Sequence, residues 1–415
     1  MAKNPYFSSL IALTSLFFMW GFITSLNDIL IPHLKALFTL NYTQVMLVQF
    51  CFFMAYFIVS IPSGMLVEKI GYQRGIVTGL LVVSVGCLLF YLAAGWFSYP
   101  LFLGALFILA SGITLLQVAA NPYVTILGDA ATASSRLTMT QAFNSLGTTL
   151  GPALGSALIL AATVKSPLEL TQLNLTEFAD YQRSQADSVQ IPYLWLAAIL
   201  IGIALVFMRL HLPNIRAPKS ENSDQLPAAF KMTWPLMAGS IGIFVYVGAE
   251  VSIGSFLINF LGEAKIAGLE ASQAGTYVSY YWGGAMIGRF IGALVMQKYS
   301  PAKVLAGHAL MAALLVTSAI LSEGHLAMYA LLSVGLCNSI MFPTLFSLAL
   351  TGLGDHTGQG SGILCAAIVG GAIVPLLQGV CADAFGIQNA FWVPVVCYLY
   401  IVYFGVRFAC SGFKI

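Results

Sequence analysis

The stretch Phe17-Phe18-Met19-Trp20-Gly21-Phe22-Ile23-Thr24-Ser25-Leu26-Asn27-Asp28-Ile29-Leu30-Ile31-Pro32 decides the fold. After Lys3 no charge occurs until Asp28. The run between them is long enough to cross a bilayer as a helix, which takes about 20 apolar residues. It continues into Asp28 without a small-residue cleavage site, so it reads as a retained span rather than a signal peptide. A carboxylate near the middle of such a helix costs roughly 3 kcal/mol on insertion scales. Asp28 should therefore face the protein interior, beside water, an ion or a polar solute.

The rest of the chain has the same character. Of 415 residues, 59% are hydrophobic and 8% are charged, against roughly 25% charged in soluble globular proteins. A soluble core cannot absorb that excess, so the expected solvent is a lipid bilayer. The net charge of +2 gives no case for a nucleic-acid partner. Cys51, Cys87, Cys337, Cys365, Cys381, Cys397 and Cys410 lie in apolar stretches without C-x-x-C spacing, and read as packing rather than disulfides or metal ligands. The chain lacks H-E-x-x-H, G-x-S-x-G and Walker motifs and has no His pair at ligand spacing, so an enzyme is not expected.

Apolar runs of spanning length number twelve. Six lie near 8–31, 44–66, 75–95, 100–127, 137–163 and 191–208. Six more lie near 233–261, 272–297, 303–321, 326–351, 360–382 and 390–410. The expected fold is an all-α integral membrane protein of two six-helix bundles, 1–208 and 233–415. A polar linker at 209–232, rich in Pro and Ser, joins them. Twelve spans put both termini, the linker and four other loops on one side. That side carries twelve Lys and Arg residues against four on the other, which places both termini in the cytoplasm. Arg289 is left inside span 8.

The halves echo each other. In span 5, Gly147 is followed by Pro152; in span 11, Gly370 is followed by Pro375 at the same spacing. Span 4 ends through Asn121-Pro122-Tyr123 to Gly128-Asp129, and span 10 through Phe342-Pro343-Thr344 to Gly354-Asp355. A six-plus-six repeat is the pattern of carriers that bind their solute at the midplane.

The segment Gly64-Met65-Leu66-Val67-Glu68-Lys69-Ile70-Gly71-Tyr72-Gln73-Arg74 resembles the loop 2–3 signature of the major facilitator superfamily, with Glu68 in the usual Asp place. Within it, Leu26-Asn27-Asp28-Ile29-Leu30-Ile31-Pro32, Ala119-Ala120-Asn121-Pro122-Tyr123 and Phe143-Asn144-Ser145 resemble the L-fucose permease branch. That resemblance implies sugar binding or proton coupling at Asp28, Gln117 and Asn144. Gln117 stands where fucose permease has Glu, and Glu250 where it has an amide. Both departures resemble the glucose/galactose transporter members of the branch. The implied activity is symport of a hexose such as glucose or galactose with a proton or sodium ion, by alternating access. The implied setting is the bacterial inner (plasma) membrane. The implied partners are a monosaccharide and the bilayer, with the chain a monomer and no cofactor beyond the coupling ion.

The residue types fit that expectation. Sugars need side chains that donate and accept hydrogen bonds directionally, set in an otherwise apolar cavity. Asp28 is the candidate for cation coupling, with Asn27 and Thr24 as neighbours and sodium as the alternative ion to the proton. Gln117 and Asn121 share a face of span 4; Gln141 and Asn144 share a face of span 5. Such amides also serve simply to join helices in lipid. In the second half the candidates are Glu250, Tyr246 four residues before it, Trp282 and Asn338; an ion pair of Glu250 with Arg289 is the competing or coexisting role. Glu68 and Arg74, with Asp129 and Arg136, read as a conformational latch on the cytoplasmic side. A drug/proton antiporter, suggested by the Gly147, Gly151-Pro152 and Gly155 stripe, and a non-transporting sugar sensor are the alternatives.

Overall fold

The structure is a computed structural model that describes residues 6–38, 42–96, 98–159, 172–210, 212–213 and 230–411. Side chains within some helical stretches, among them 26–38 and 152–159, lie outside the described set. So do the side chains of Asn27 and Asp28, and most of the linker expected at 209–232.

The first half contributes α1 (Phe7–Phe38), α2 (Tyr42–Ile70), α3 (Tyr72–Gly95), α4 (Tyr99–Ile126), α5 (Ala133–Ile159) and α6 (Leu175–Arg209). The second half contributes α7 (Trp234–Gly262), α8 (Ala271–Val295) and α9 (Pro301–Leu321). Its last three spans are broken. Span 10 is α10 (Gly324–Asn338) with α11 (Met341–Ala349). Span 11 is α12 (Thr357–Ala366), a 3-10 turn at Ala367–Val369 and α13 (Gly370–Phe385). Span 12 is α14 (Ile387–Ala390) with α15 (Trp392–Cys410). Among the described residues, ten helical segments are long and apolar enough to cross a membrane. The helices outside that set are α5 and α8. Both are polar for a reason: α5 carries Thr138, Thr140, Gln141, Asn144 and Ser145, and α8 carries Tyr281 and Arg289. Each puts polar side chains toward the protein and so falls short as a purely lipid-facing helix. Elsewhere Leu376 and Val380 on α13 and Val396 on α15 are largely exposed, as apolar groups facing hydrocarbon are.

Local chemistry sets several helix ends. Asn174 and Glu177 form a capping box that opens α6. Thr233 caps α7, with Pro235 in its first turn, where a missing N–H leaves no bond unmade. Gly71, between α2 and α3, has φ +86°, a conformation other residues rarely adopt. Span 10 breaks upstream of Pro343. Proline has no N–H to offer the carbonyl of Ser339, so the helical ladder cannot continue through it.

The chain divides by contact into two compact units. One comprises Ile11–Ala120 and Phe143–Pro213. The other comprises Met1–Leu10, Asn121–Ala142 and Asn214–Ile415. The turn between α4 and α5 thus belongs to the second unit. Its bonds there are specific: the hydroxyls of Ser134 and Ser347 lie 2.6 Å apart, and Ser135 donates to the carbonyl of Ala293 at 2.6 Å.

Within the units the sequence echo becomes a structural one. An added Cβ on Gly147 of α5 would stand 2.1 Å from the carbonyl oxygen of Phe18 on α1. One on Gly370 of α13 would stand 2.0 Å from the carbonyl oxygen of Phe244 on α7. In both places glycine lets two backbones touch, as small residues do between membrane helices. A second echo ties spans 3 and 6 to spans 9 and 12. Gln190 on α6 donates to the carbonyl of Tyr91 near the end of α3 at 2.9 Å. Gln388 on α14 donates to the carbonyls of Ala319 and Ser322 at the end of α9, at 3.0 and 2.8 Å.

Candidate functional site

The densest buried polar cluster described lies in the second unit, around the break in span 10. Glu250 sits in α7, sixteen residues past Trp234 where that helix begins. Its carboxylate faces the guanidinium of Arg289 on α8 at 4.0 Å, with both side chains about one-seventh exposed. The competing role expected for Glu250 is therefore realised. Two opposite charges this close in low dielectric hold each other, and removing one would strand the other.

The break supplies the rest of the frame. Where span 10 is interrupted, three successive carbonyls meet side chains from three other helices. His308 of α9 contacts the Cys337 carbonyl at 3.2 Å. Tyr246 of α7 donates to the Asn338 carbonyl at 3.0 Å. Arg289 of α8 donates through Nε to the Ser339 carbonyl at 3.2 Å. The Asn338 side chain is fully engaged as well. Its Oδ1 accepts from Tyr398 at 2.7 Å and its Nδ2 donates to the Tyr281 hydroxyl at 2.7 Å. Tyr281 in turn donates to the main-chain carbonyl of Glu250 at 3.4 Å. Tyr246, Tyr281, Tyr398 and Asn338 are wholly buried.

This changes how the expected sugar ligands of the second half are seen. Tyr246 and Asn338, expected to meet a solute directly, have these polar groups bonded within the protein and no exposed surface in this structure. Glu250 keeps some exposure. Trp282 is 42% exposed, and its ring packs against Tyr281 with centroids 5.2 Å apart. From the sequence, Tyr281 reads only as part of an aromatic patch with Tyr280 and Trp282, and Tyr398 carries no expected role. The available signal was that each is tyrosine rather than phenylalanine, since a buried hydroxyl requires a partner.

In the first-half unit, Asn144 of α5 donates through Nδ2 to the Phe17 carbonyl of α1 at 2.9 Å, beside the close approach at Gly21. Gln117 on α4 is half-buried. Thr24 turns its hydroxyl back onto its own helix, to the carbonyls of Trp20 and Gly21 at 3.1 and 2.9 Å. Asp28 and Asn27 lie on α1, with side chains outside the described residues. Asn121 and Gln141 belong to the other unit, and Gln141 Nε2 donates to Asn121 Oδ1 at 3.3 Å. Both are buried, so this pair joins α4 to α5, the helix-joining role open to amides in lipid.

The latch residues separate by setting. Arg136 gathers main-chain carbonyls: Val124 at 3.3 Å, Thr125 at 2.8 Å and Asp129 at 2.6 Å, and it also contacts the Thr132 hydroxyl. It thus closes the end of α4, where carbonyls lack helical partners. The Asp129 carboxylate instead accepts from the Ala131 N–H at 3.0 Å and caps the 3-10 turn. Arg136 therefore meets the Asp129 main chain in these bonds. Glu68 is half-buried near the end of α2, and Arg74 is exposed at the start of α3.

Comparison with known proteins agrees with this architecture. Residues 11–367 match the family model of the Major Facilitator Superfamily. The "Glucose/galactose transporter" of Brucella abortus (strain 2308) is 56% identical over 98% of this chain and 95% of that protein. The "L-fucose-proton symporter" of Escherichia coli (strain K12) is 36% identical over 97% of this chain and 93% of that protein. The crystal structure of the transporter FucP in the outward conformation superposes with a TM-score of 0.91 at 35% identity, covering 97% of this chain and 99% of that one.

Proposed function

We propose, from the premise that this chain belongs to the Major Facilitator Superfamily, that it carries a hexose such as glucose or galactose across the membrane together with a cation. The observation that carries the proposal is identity over nearly the whole length to a protein named a glucose/galactose transporter. A second relative over the same length is named a proton symporter of L-fucose. The residues supply chemistry that suits such a solute. Glu250, held against Arg289, is an oriented acceptor for sugar hydroxyls, and Trp282 offers a ring for the sugar's C–H face. Gln117 and Asn144 add amides from the first half. Asp28 carries the coupled proton, with sodium as the alternative ion. Neutralising a carboxylate in lipid removes the charge that would oppose reorientation.

The arrangement in this proposal is an N-terminal bundle at 1–208, a cytoplasmic linker at 209–232 and a C-terminal bundle at 233–415. Both termini lie in the cytoplasm of a bacterial inner membrane, an assignment supported by the Lys and Arg bias. The protein acts as a monomer. Glu68, Arg74, Asp129 and Arg136 latch one conformational state on the cytoplasmic side.

The test is uptake of labelled glucose, galactose and fucose into proteoliposomes under separately imposed proton and sodium gradients. Accumulation of glucose or galactose above the external concentration is expected with one ion. Binding without accumulation under either gradient would point instead to a sugar sensor and overturn the proposal.

A further inference from the structure

We propose that Asn338 is a positioning residue: it orients Glu250 for the sugar through Tyr281, with Tyr398 fixing its amide, and does not itself touch the sugar. The inference deepens the hexose reading and rests on it.

Hydrogen-bond direction links these groups. The direction is set at the Glu250 end of the chain. The Glu250 main-chain carbonyl can only accept, so Tyr281 gives it its proton, at 3.4 Å, and takes one from the amide. This places nitrogen toward Tyr281 and oxygen toward Tyr398. Asn338 Nδ2 accordingly donates to the Tyr281 oxygen at 2.7 Å. The Tyr398 hydroxyl has a single proton and gives it to Asn338 Oδ1 at 2.7 Å. One chain thus runs from α15 through span 10 and α8 to the main chain of α7 at Glu250. The acceptor-only carbonyl at Glu250 gives the whole chain one direction.

The same break also fixes the Glu250 side chain. Arg289 faces the carboxylate at 4.0 Å and is itself anchored by donating to the carbonyl of Ser339, the residue after Asn338. Tyr246, one helical turn before Glu250, is tied to the Asn338 carbonyl at 3.0 Å. The Asn338–Ser339 junction therefore sets the backbone before Glu250, the backbone at Glu250 and the cation opposite its carboxylate. Asn338, Tyr281 and Tyr398 have no exposed surface. Any effect of the Tyr398 hydroxyl on a sugar must pass through the chain, because the hydroxyl cannot reach a solute.

The experiment measures binding of glucose and galactose to the purified full-length protein by calorimetry. Tyr398→Phe and Tyr281→Phe each delete one oxygen and keep the ring. Each is expected to weaken binding about fivefold, the worth of one net hydrogen bond. The discriminating readout is the double-mutant cycle with Glu250→Gln. If the tyrosines act through Glu250, their effect shrinks to less than about twofold once the carboxylate is gone. A tyrosine that merely supports the fold weakens binding by the same factor in either background, and that result would overturn the proposal. So would wild-type affinity in both single variants. Asn338→Ala should lose at least as much affinity as Tyr398→Phe; if it does not fold, the two tyrosine variants still decide the matter. Failure of the unaltered protein to bind any hexose would overturn the transport reading instead. Hexose binding by that protein with an unchanged Tyr398→Phe variant overturns only the positioning role.

Discussion

Replacing Gly370 by alanine forces one methyl group into one of the tightest helix contacts of the second-half unit. The ideal Cβ position lies 2.0 Å from the Phe244 carbonyl oxygen, 2.7 Å from its carbonyl carbon and 2.9 Å from its Cα. Ordinary contact begins near 3.4 Å, so α13 and α7 must part by about 1.4 Å at that point. The obstacle is backbone, which cannot swing aside as a side-chain end can. Overpacking of this kind costs about 1–3 kcal/mol, and the rigid neighbour argues for the upper part of that range. Gly307 on α9 provides the control, because nothing lies within 4 Å of its added Cβ. Alanine there should be neutral or stabilising by up to ~1 kcal/mol through helix propensity. The assay is thermal unfolding of both variants in detergent, read by intrinsic fluorescence. Gly370→Ala should unfold well below the parent protein and Gly307→Ala at or above it. Gly147→Ala, 2.1 Å from the Phe18 carbonyl, should behave like Gly370→Ala if the repeat seen in sequence is a repeat in packing. Equal stability of Gly370→Ala and Gly307→Ala would refute the argument.

Three further outcomes are expected. Arg289→Gln alone should destabilise the protein by about 3 kcal/mol, because it strands the Glu250 carboxylate, while Arg289→Gln with Glu250→Gln should recover most of that loss; a double variant no better than the single one in chemical denaturation would refute the pairing. Arg136→Ala strips partners from the carbonyls of Val124, Thr125 and Asp129, and should increase hydrogen exchange in the turn between α4 and α5; unchanged exchange there would remove the capping role. Glu250→Ala and Gln117→Ala should each weaken hexose binding at least about fivefold, and unchanged affinity in both would mean that the sugar lies elsewhere.

Much of this was legible in the residues, for definable reasons. Hydropathy counts spans well because lipid demands long apolar helices that satisfy their own backbone. It also located α5 and α8, whose polar side chains leave them outside the purely apolar set. The ion pair of Glu250 with Arg289 was foreseeable, since two opposite charges stranded in adjacent spans have few other partners. The break between Asn338 and Met341 was less so. Pro343 signals that the Ser339 carbonyl loses its helical donor, but not that Arg289 replaces it. Asn338 is the most instructive case. A buried amide announces that it needs partners, and the sequence is silent on whether they belong to a solute or to Tyr281 and Tyr398. The side chain of Arg136 shows the same limit: its charge suggested a carboxylate partner, and nothing in the sequence signals that it would also hold the carbonyls of Val124, Thr125 and Asp129.

The most direct test of the whole account is made at Asp28. The Asp28→Asn variant should be reconstituted and assayed twice, for gradient-driven accumulation of labelled galactose and for its exchange without a gradient. The account predicts that accumulation disappears while exchange persists, because the solute site survives and the titrating group does not. Accumulation at the parent level by Asp28→Asn would show that the cation is coupled somewhere else.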